Sequence, residues 1–195
     1  MPNPLIDAKL EAKASKLEKK IFGLKGQLAK LLRSAKPRRV QDYRFLTSDG
    51  KPLRLSQAFG KHRDLIVVHN MGTFCPYCTL WADEYNGVAA HLENRAAFLV
   101  VSSDEPAKQK AFRKSRGWTF RMASVKGTTF NHDMGFEPKP GEHWPGFTTF
   151  RRGKGWAIER IGRRFFGPGD DFCGVWHFFE MLQGGPGDWQ PKFRY

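Results

Sequence analysis

Length, composition and charge exclude several classes of protein. At 195 residues the chain can form one globular domain with an appendage, and its 40% hydrophobic residues exclude a disordered chain. The net charge of +14 predicts an acidic partner without identifying it. The apolar runs are too short to span a bilayer, residues 1–40 lack the apolar segment of a secretory signal, and three cysteines do not make an even disulfide framework. We therefore expect no membrane association and a location in the reducing cytoplasm.

Residues 1–40 have the composition of a basic amphipathic helix. They hold 11 lysines and arginines against three acidic residues. Apolar residues recur in steps of four and three, which is the pattern of a heptad seam; they are Leu10, Ala14, Leu17, Ile21, Leu24, Leu28 and Leu31. This pattern predicts a helix that docks on its own domain or pairs with its twin in a homodimer. Nucleic acid is not the expected partner, because base-reading motifs and interleaved aromatic residues are missing. We assign residues 1–40 to a helical extension and residues 41–195 to a second domain.

Beyond residue 40 the pattern changes to alternating strands and helices. The predicted elements are a hairpin of Tyr43–Leu46 and Leu53–Leu55, a buried strand Asp64–His69, a helix from Cys75 to Arg95, a buried strand Phe98–Val101 and a helix ending at Arg116. They are followed by a hairpin of Phe147–Phe150 and Trp156–Ile161, a closing helix over 171–182, and an extended strap over 184–195. This order predicts a right-handed parallel βαβ unit in an α/β domain.

The chemistry of the chain is expected at Cys75-Pro76-Tyr77-Cys78, where the first buried strand gives way to a helix. Two thiols in a C-x-x-C pair can close into a disulfide, and the positive N-terminus of a helix favours a thiolate on the first. We assign Cys75 as an exposed attacking thiol and Cys78 as the resolving thiol. Pro76 suits the first helical turn, and Tyr77 is a candidate to stack on a substrate.

Zinc binding is the main chemical alternative to a redox function of the dithiol. Cys75, Cys78, Cys173 and His177 together could supply a Cys3His set. Cys173 and His177, however, lie among bulky aromatic residues, which favours a packed helix with a buried thiol. We therefore predict neither a metal nor another cofactor. His69, at the end of the first buried strand, is either a structural histidine, the favoured interpretation, or a group that tunes the pKa of Cys75.

Several uncommon strings in the chain resemble the DUF899 thioredoxin-like proteins, which are described as predicted dithiol–disulfide oxidoreductases. They include Asp64–Gly72, the dithiol, Leu80–Asp83, Val101–Ser103, Gly117–Phe120, Phe130–Asp133 and Asp188–Phe193. The resemblance implies a thioredoxin-like fold, in which a central mixed sheet is flanked by helices. It also implies that Cys75 and Cys78 form the active-site pair and that Pro145 is the cis-proline that shapes the substrate groove.

The function expected from the sequence is thiol–disulfide exchange with a protein or small-molecule thiol or disulfide. Peroxidase activity of the peroxiredoxin type is disfavoured, because Gly72 and Val68 stand where that motif has Thr or Ser and proline. The alternative is a thioredoxin-fold interaction module, zinc-stabilised or redox-inactive, that binds an acidic partner through its basic N-terminal helix.

Overall fold

The computed structural model describes residues 7–195, and the chain divides into two compact units between Lys36 and Pro37. The first unit contains one helix, α1 (Ala8–Arg33). It begins where the carboxylate of Asp7 accepts hydrogen bonds from the backbone N–H groups of Lys9 and Leu10. None of its residues is buried, so the predicted apolar stripe is exposed. Within residues 7–195, no helix combines the length and apolarity that a membrane span requires.

The second unit is built on one eight-stranded mixed sheet. Its strands are β1 (Arg38–Val40), β2 (Arg44–Thr47), β3 (Pro52–Arg54), β4 (Asp64–His69), β5 (Ala97–Ser102), β6 (Met122–Ser124), β7 (Gly146–Arg152) and β8 (Ile158–Phe165). They lie in the order β1-β8-β7-β4-β5-β6-β2-β3. The pairs β4–β5 and β5–β6 are parallel, and the other pairs are antiparallel. The predicted mixed sheet, both predicted hairpins and the parallel βαβ unit are confirmed.

Five helices accompany the sheet. They are α2 (Leu55–Ala58), α3 (Pro76–Arg95), α4 (Pro106–Arg116), α5 (Phe130–Met134) and α6 (Gly174–Glu180), and a short 3-10 turn covers Lys154–Trp156. Helix α4 stops at Gly117, which adopts the left-handed conformation (φ 68°) that ends many helices. The predicted ends of α3 and α4 are thus confirmed.

The sheet separates two hydrophobic clusters because successive side chains of a strand point to opposite faces. Leu65 and Val67 of β4 join one cluster, and Ile66 and Val68 join the other. The first cluster also contains residues of α2 and α5. The second contains Trp81, Ala82, Tyr85 and Ala89 of α3, together with Trp118, Cys173 and Trp176. Helix α3 therefore packs on the face of β4 that carries Ile66 and Val68.

Two boundaries differ from the sequence prediction. Residues 38–40, which we assigned to the helical extension, form β1 and pair with β8, with Val40 opposite Ile158. Pro37 prevents the helix from continuing, and the residues after it are extended. Because the strand has only three residues and two of them are arginines, the sequence has no apolar pattern from which the strand could be predicted. The closing helix begins at Gly174 rather than Asp171, because the carboxylate of Asp170 holds the N–H of Phe172 in a turn.

Candidate active site

The dithiol lies at the start of α3, immediately after the loop that leaves the carboxyl end of β4. Cys75 is the N-cap residue of α3 and Pro76 takes the first helical position, where its missing N–H costs nothing. Sγ of Cys75 accepts a hydrogen bond from the backbone N–H of Cys78, with 3.1 Å between the two atoms. Both thiols are free. The sequence thus placed the pair correctly on its helix.

The two thiols have opposite acidities. The Cys78 thiol and the backbone N–H groups of Cys78 and Tyr77 stabilise negative charge on Cys75 and lower its pKa to about 7, against the opposing effect of burial. The hydrogen bond to Cys75, together with burial and the charge of Cys75, raises the pKa of Cys78. Near neutral pH the first cysteine thus ionises far more readily than the second, which is a thiol.

Cys75 is less accessible than expected. Its exposed fraction is 6%, against 3% for Cys78, so both cysteines are buried. The prediction of an exposed attacking thiol is wrong in this conformation. The residue before it, Phe74, is 61% exposed.

Two polar residues that the sequence analysis missed hold the loop before the dithiol. The side-chain oxygen of Asn70 accepts from the N–H of Gly72 at 2.8 Å, and its backbone N–H donates to Val101 at 2.8 Å. Asp104, which follows β5, accepts from the N–H of Thr73 at 2.8 Å. Both residues follow neighbouring parallel strands, β4 and β5, which is the pattern that could have predicted their approach.

Gly72 is required by the geometry of this loop. Its φ of +132° lies in the region that side chains rarely adopt, and a Cβ there would lie 3.0 Å from Oδ2 of Asp104. The Thr or Ser of the peroxiredoxin motif would be strained at this position.

His69 is a structural histidine, as the favoured interpretation held. Its ring stacks between Phe130 and Phe136, its Nδ1 is 2.8 Å from Oδ1 of Asn131, and its Nε2 is 3.0 Å from the hydroxyl of Thr148. Burial lowers its pKa to about 3. With both nitrogens bonded and the ring neutral, His69 supplies no positive charge to Cys75.

Pro145 lies near Cys78 but not in the predicted isomer. Pro145, Asn70 and Cys78 line the same small cavity. No peptide bond within residues 7–195 is cis, so the expectation of a cis-proline is wrong. The carbonyl of Pro145 accepts from the N–H of Phe166 at 3.0 Å, which continues the pairing of β7 with β8. That carbonyl is thus already engaged within the sheet.

The four residues of the alternative zinc site do not come together. Cys173 is completely buried, and burial and a hydrogen bond with Glu84 raise its pKa to about 12. His177 instead contacts the carboxylate of Glu180 and the carbonyl of Asp170. In the described part of the chain, no three His, Cys, Asp or Glu residues are arranged to hold a metal ion.

Two clefts of similar size flank the sheet at different places. One, of about 430 Å³, is lined by Tyr77 of the dithiol motif and by residues of the C-terminal segment. The other, of about 410 Å³, is lined by basic residues such as Lys61 and Arg63 and by Trp156. The second cleft adjoins the start of β4 rather than the end that leads to Cys75, so it is not part of the dithiol site.

The sequence matches the family described as "Bacterial protein of unknown function (DUF899)" over residues 10–190. The chain belongs to the DUF899 family. The resemblance noted from the dithiol and its neighbouring strings is therefore confirmed. No match exists among curated proteins.

Solved structures show the fold of this DUF899 chain to be thioredoxin-like. The peroxidoxin BcpB from Mycobacterium tuberculosis is similar with a TM-score of 0.54 and 21% identity, covering 66% of this chain and 84% of that one. A peroxiredoxin-like protein from Aquifex aeolicus has a TM-score of 0.53 and 18% identity, with coverages of 66% and 74%. An uncharacterized conserved protein from Geobacillus kaustophilus has a TM-score of 0.50 and 14% identity, with both coverages 69%. Identities this low show the fold alone.

Proposed function

We propose that this protein is a thiol–disulfide oxidoreductase in which Cys75 attacks and Cys78 resolves. The observation that carries the proposal is the hydrogen bond from the N–H of Cys78 to Sγ of Cys75 at the N-terminus of α3. It stabilises a thiolate on one cysteine and leaves the other within one helical turn as a thiol. A substrate disulfide that reaches Cys75 therefore meets a nucleophile at neutral pH.

Reduction of a substrate disulfide proceeds in two exchanges. The Cys75 thiolate attacks one substrate sulfur, the substrate S–S bond breaks, and the first substrate thiolate leaves and takes up a proton. Cys78 then loses its proton and attacks Sγ of Cys75, so that the Cys75–Cys78 disulfide forms and the second substrate thiol leaves. Two electrons pass from the dithiol to the substrate, and an external dithiol reductant restores the starting state.

The raised pKa of Cys78 does not block the second exchange. Two of the causes that raise it, the hydrogen bond to Cys75 and the charge of Cys75, depend on the Cys75 thiolate. Both disappear once Cys75 enters the mixed disulfide. Burial then still raises the pKa of Cys78, and the backbone N–H groups of Met71 and Cys78 lower it. Cys78 therefore becomes easier to ionise at the step in which it must act.

A redox titration of the two cysteines against defined thiol–disulfide buffers tests the proposal. We expect a reversible two-electron transition between roughly −270 and −120 mV, with the Cys75–Cys78 disulfide identified by peptide mass spectrometry. Cys173, buried and less acidic, is the internal control and should stay a thiol. The proposal would be contradicted if the two thiols never formed a disulfide, or if they reacted only after a chelator was added. Failure to turn over hydrogen peroxide would separate this protein from peroxidases.

The expectations about partners and location remain part of this proposal. A catalytic dithiol works in a reducing compartment, which favours the cytoplasm, and the substrate is a protein or small-molecule disulfide. The alternative interaction module rests on the exposed lysine-rich helix α1. A biological function that survives Cys75→Ser but is lost on removal of residues 1–36 would favour that alternative.

Pairing of α1 in a homodimer is tested separately. Leu17, Ile21 and Leu24 are at least half exposed on the predicted heptad seam. Light scattering of the full-length protein should give a dimer mass, and Ile21→Lys should give the monomer mass. A monomer in the unsubstituted protein would contradict the pairing.

A further inference from the structure

The cleft beside Tyr77 has a composition unlike that of the rest of the molecule. Tyr77 stands between the two cysteines, and the opposite lining comes from α6 and the C-terminal segment, in particular Trp176, Glu180, Asp188 and Trp189. The cleft, of about 430 Å³, is large enough for a side chain or a small ligand. Tyr77 connects the cleft to the dithiol, because it lies within two residues of both cysteines along the chain.

Three aromatic rings form the wall of this cleft. The Tyr77 and Trp176 rings are stacked, with centroids 6.1 Å apart and an interplanar angle of 11°. The Trp189 ring meets Trp176 edge to face at 5.3 Å and 74°. The faces of such rings carry partial negative charge and attract cations.

The charge around the cleft opposes the charge of the whole chain. Residues 165–191 contain four carboxylates and neither lysine nor arginine, although the protein has a net charge of +14. Glu180 and Asp188 line the cleft, and its lining includes no lysine or arginine among the described residues. Asp188 is exposed and enters no ion pair in the described part of the chain, and the carboxylate of Glu180 contacts His177. Aromatic faces together with the carboxylate of Asp188, which has no ion-pair partner among the described residues, favour a positively charged occupant.

We propose that the cleft binds an ammonium or guanidinium group of the substrate, so that the preferred substrate is a disulfide with a cationic group beside its sulfur atoms. This inference rests on the proposed function and specifies its substrate class. It differs from what the net charge of +14 suggests, since a long-range field of that sign attracts anions. The local carboxylates and rings next to Tyr77 reverse that preference at the dithiol.

Three small disulfides with two-carbon arms test the inference. They are cystamine, which is dicationic, bis(2-hydroxyethyl) disulfide, which is neutral, and 3,3′-dithiodipropionate, which is dianionic. The measured quantity is the second-order rate constant for oxidation of the reduced full-length protein to the Cys75–Cys78 disulfide, by acid quench and mass spectrometry. Each constant is divided by that of the same disulfide with 2-mercaptoethanol, because the acidity of the leaving thiol alters intrinsic rates.

We expect the normalised constant for cystamine to exceed that for dithiodipropionate roughly tenfold at low ionic strength, and the ratio to fall with added salt. Asp188→Asn should lower the ratio of cystamine to the neutral disulfide roughly threefold. The matched control is Glu93→Gln, which removes an equal charge from an exposed residue near the far end of α3 and should leave that ratio unchanged.

The outcomes distinguish the inference from the function on which it rests. Oxidation by the neutral disulfide with a cystamine ratio of one or less would overturn the inference and leave the exchange activity standing. An equal effect of Asp188→Asn and Glu93→Gln would also overturn it, because the preference would then come from net charge. Failure of all three disulfides to oxidise the dithiol would overturn the proposed function and the inference with it.

Discussion

Cys78 donates its backbone N–H to Sγ of Cys75 across 3.1 Å, so one cysteine of the pair stabilises a thiolate on the other. Its thiol adds a second hydrogen bond to the same sulfur, which is the largest cause of the low pKa of Cys75. One side chain and one backbone group of Cys78 therefore contribute separately to Cys75, and they can be separated by substitution.

The first prediction concerns the pH dependence of Cys75. Its alkylation by iodoacetamide should rise with a midpoint near pH 7 in the intact protein, because only the thiolate reacts. Cys78→Ala removes the thiol donor and keeps the backbone N–H, so the midpoint should move upward. The Cys75 thiolate also contributes to the free energy of unfolding. This contribution is complete above the ordinary thiol pKa of 9.0 and is lost as the pH falls through 7. An unchanged midpoint in Cys78→Ala would show that the backbone alone sets the acidity.

A second prediction concerns Asp104, which holds the loop before the dithiol through Thr73 and also accepts from the hydroxyl of Ser102 at 3.2 Å. Asp104→Ala leaves the N–H of Thr73 without its partner and should cost about 1–3 kcal/mol in urea unfolding. The neighbouring carboxylate Glu105, which bonds Lys126 at the surface, provides the control Glu105→Gln. Equal losses in the two variants would argue against a role for Asp104 in the loop.

Gly72 and Gly87 provide a matched pair for the third prediction. Gly72→Ala places a Cβ 3.0 Å from Asp104 on a backbone with φ +132°, and it should destabilise the fold by about 1–3 kcal/mol. Gly87 lies inside α3 with open space around its Cα. Gly87→Ala should raise the free energy of unfolding by about 0.5–1 kcal/mol. Both values come from chemical denaturation, and a stabilising Gly72→Ala would show that the loop has another conformation.

The fourth prediction follows from the buried, neutral His69. Its pKa of about 3 lies below the ordinary 6.5, so the unfolded chain binds a proton that the folded chain does not as the pH falls below 6.5. His69 should therefore lower the free energy of unfolding by about 1.4 kcal/mol for each unit that the pH falls between pH 6 and 5. His69→Asn should remove that slope.

Direct observation of the ring gives a second test of the same prediction, which does not depend on the variant folding. The imidazole resonances of His69 in the intact protein should not shift between pH 8 and pH 5. Titration of the ring within that range would contradict the assignment of a buried neutral histidine.

The parts of the fold set by local pattern could be predicted from the sequence. Leu65–Val68 is a continuous apolar run within β4, and Pro76 opens the next helix along the chain, so the position of the dithiol followed from nearby residues. The left-handed Gly117 likewise ended α4 where the sequence placed it. In each case the deciding interactions lie within a few residues along the chain.

The surroundings of the site depend on contacts between distant residues. Tyr77 stacks on Trp176, and His69 bonds Thr148, and neither pairing leaves a trace in local spacing. The trans isomer of Pro145 likewise could not be read from its own segment. The partners of a buried polar group are decided by the assembled sheet rather than by its own segment.

The outermost strands of the sheet have a consequence for self-association. Free strand edges invite pairing with other chains, and natural proteins protect them with short strands, charges and proline. Here one edge is β1, whose exposed residues are Arg38 and Arg39, and the other is β3, which begins with Pro52. Both edges have only three residues and thus resist aggregation by strand addition. If two copies of the protein associate, pairing between strand edges is thus disfavoured.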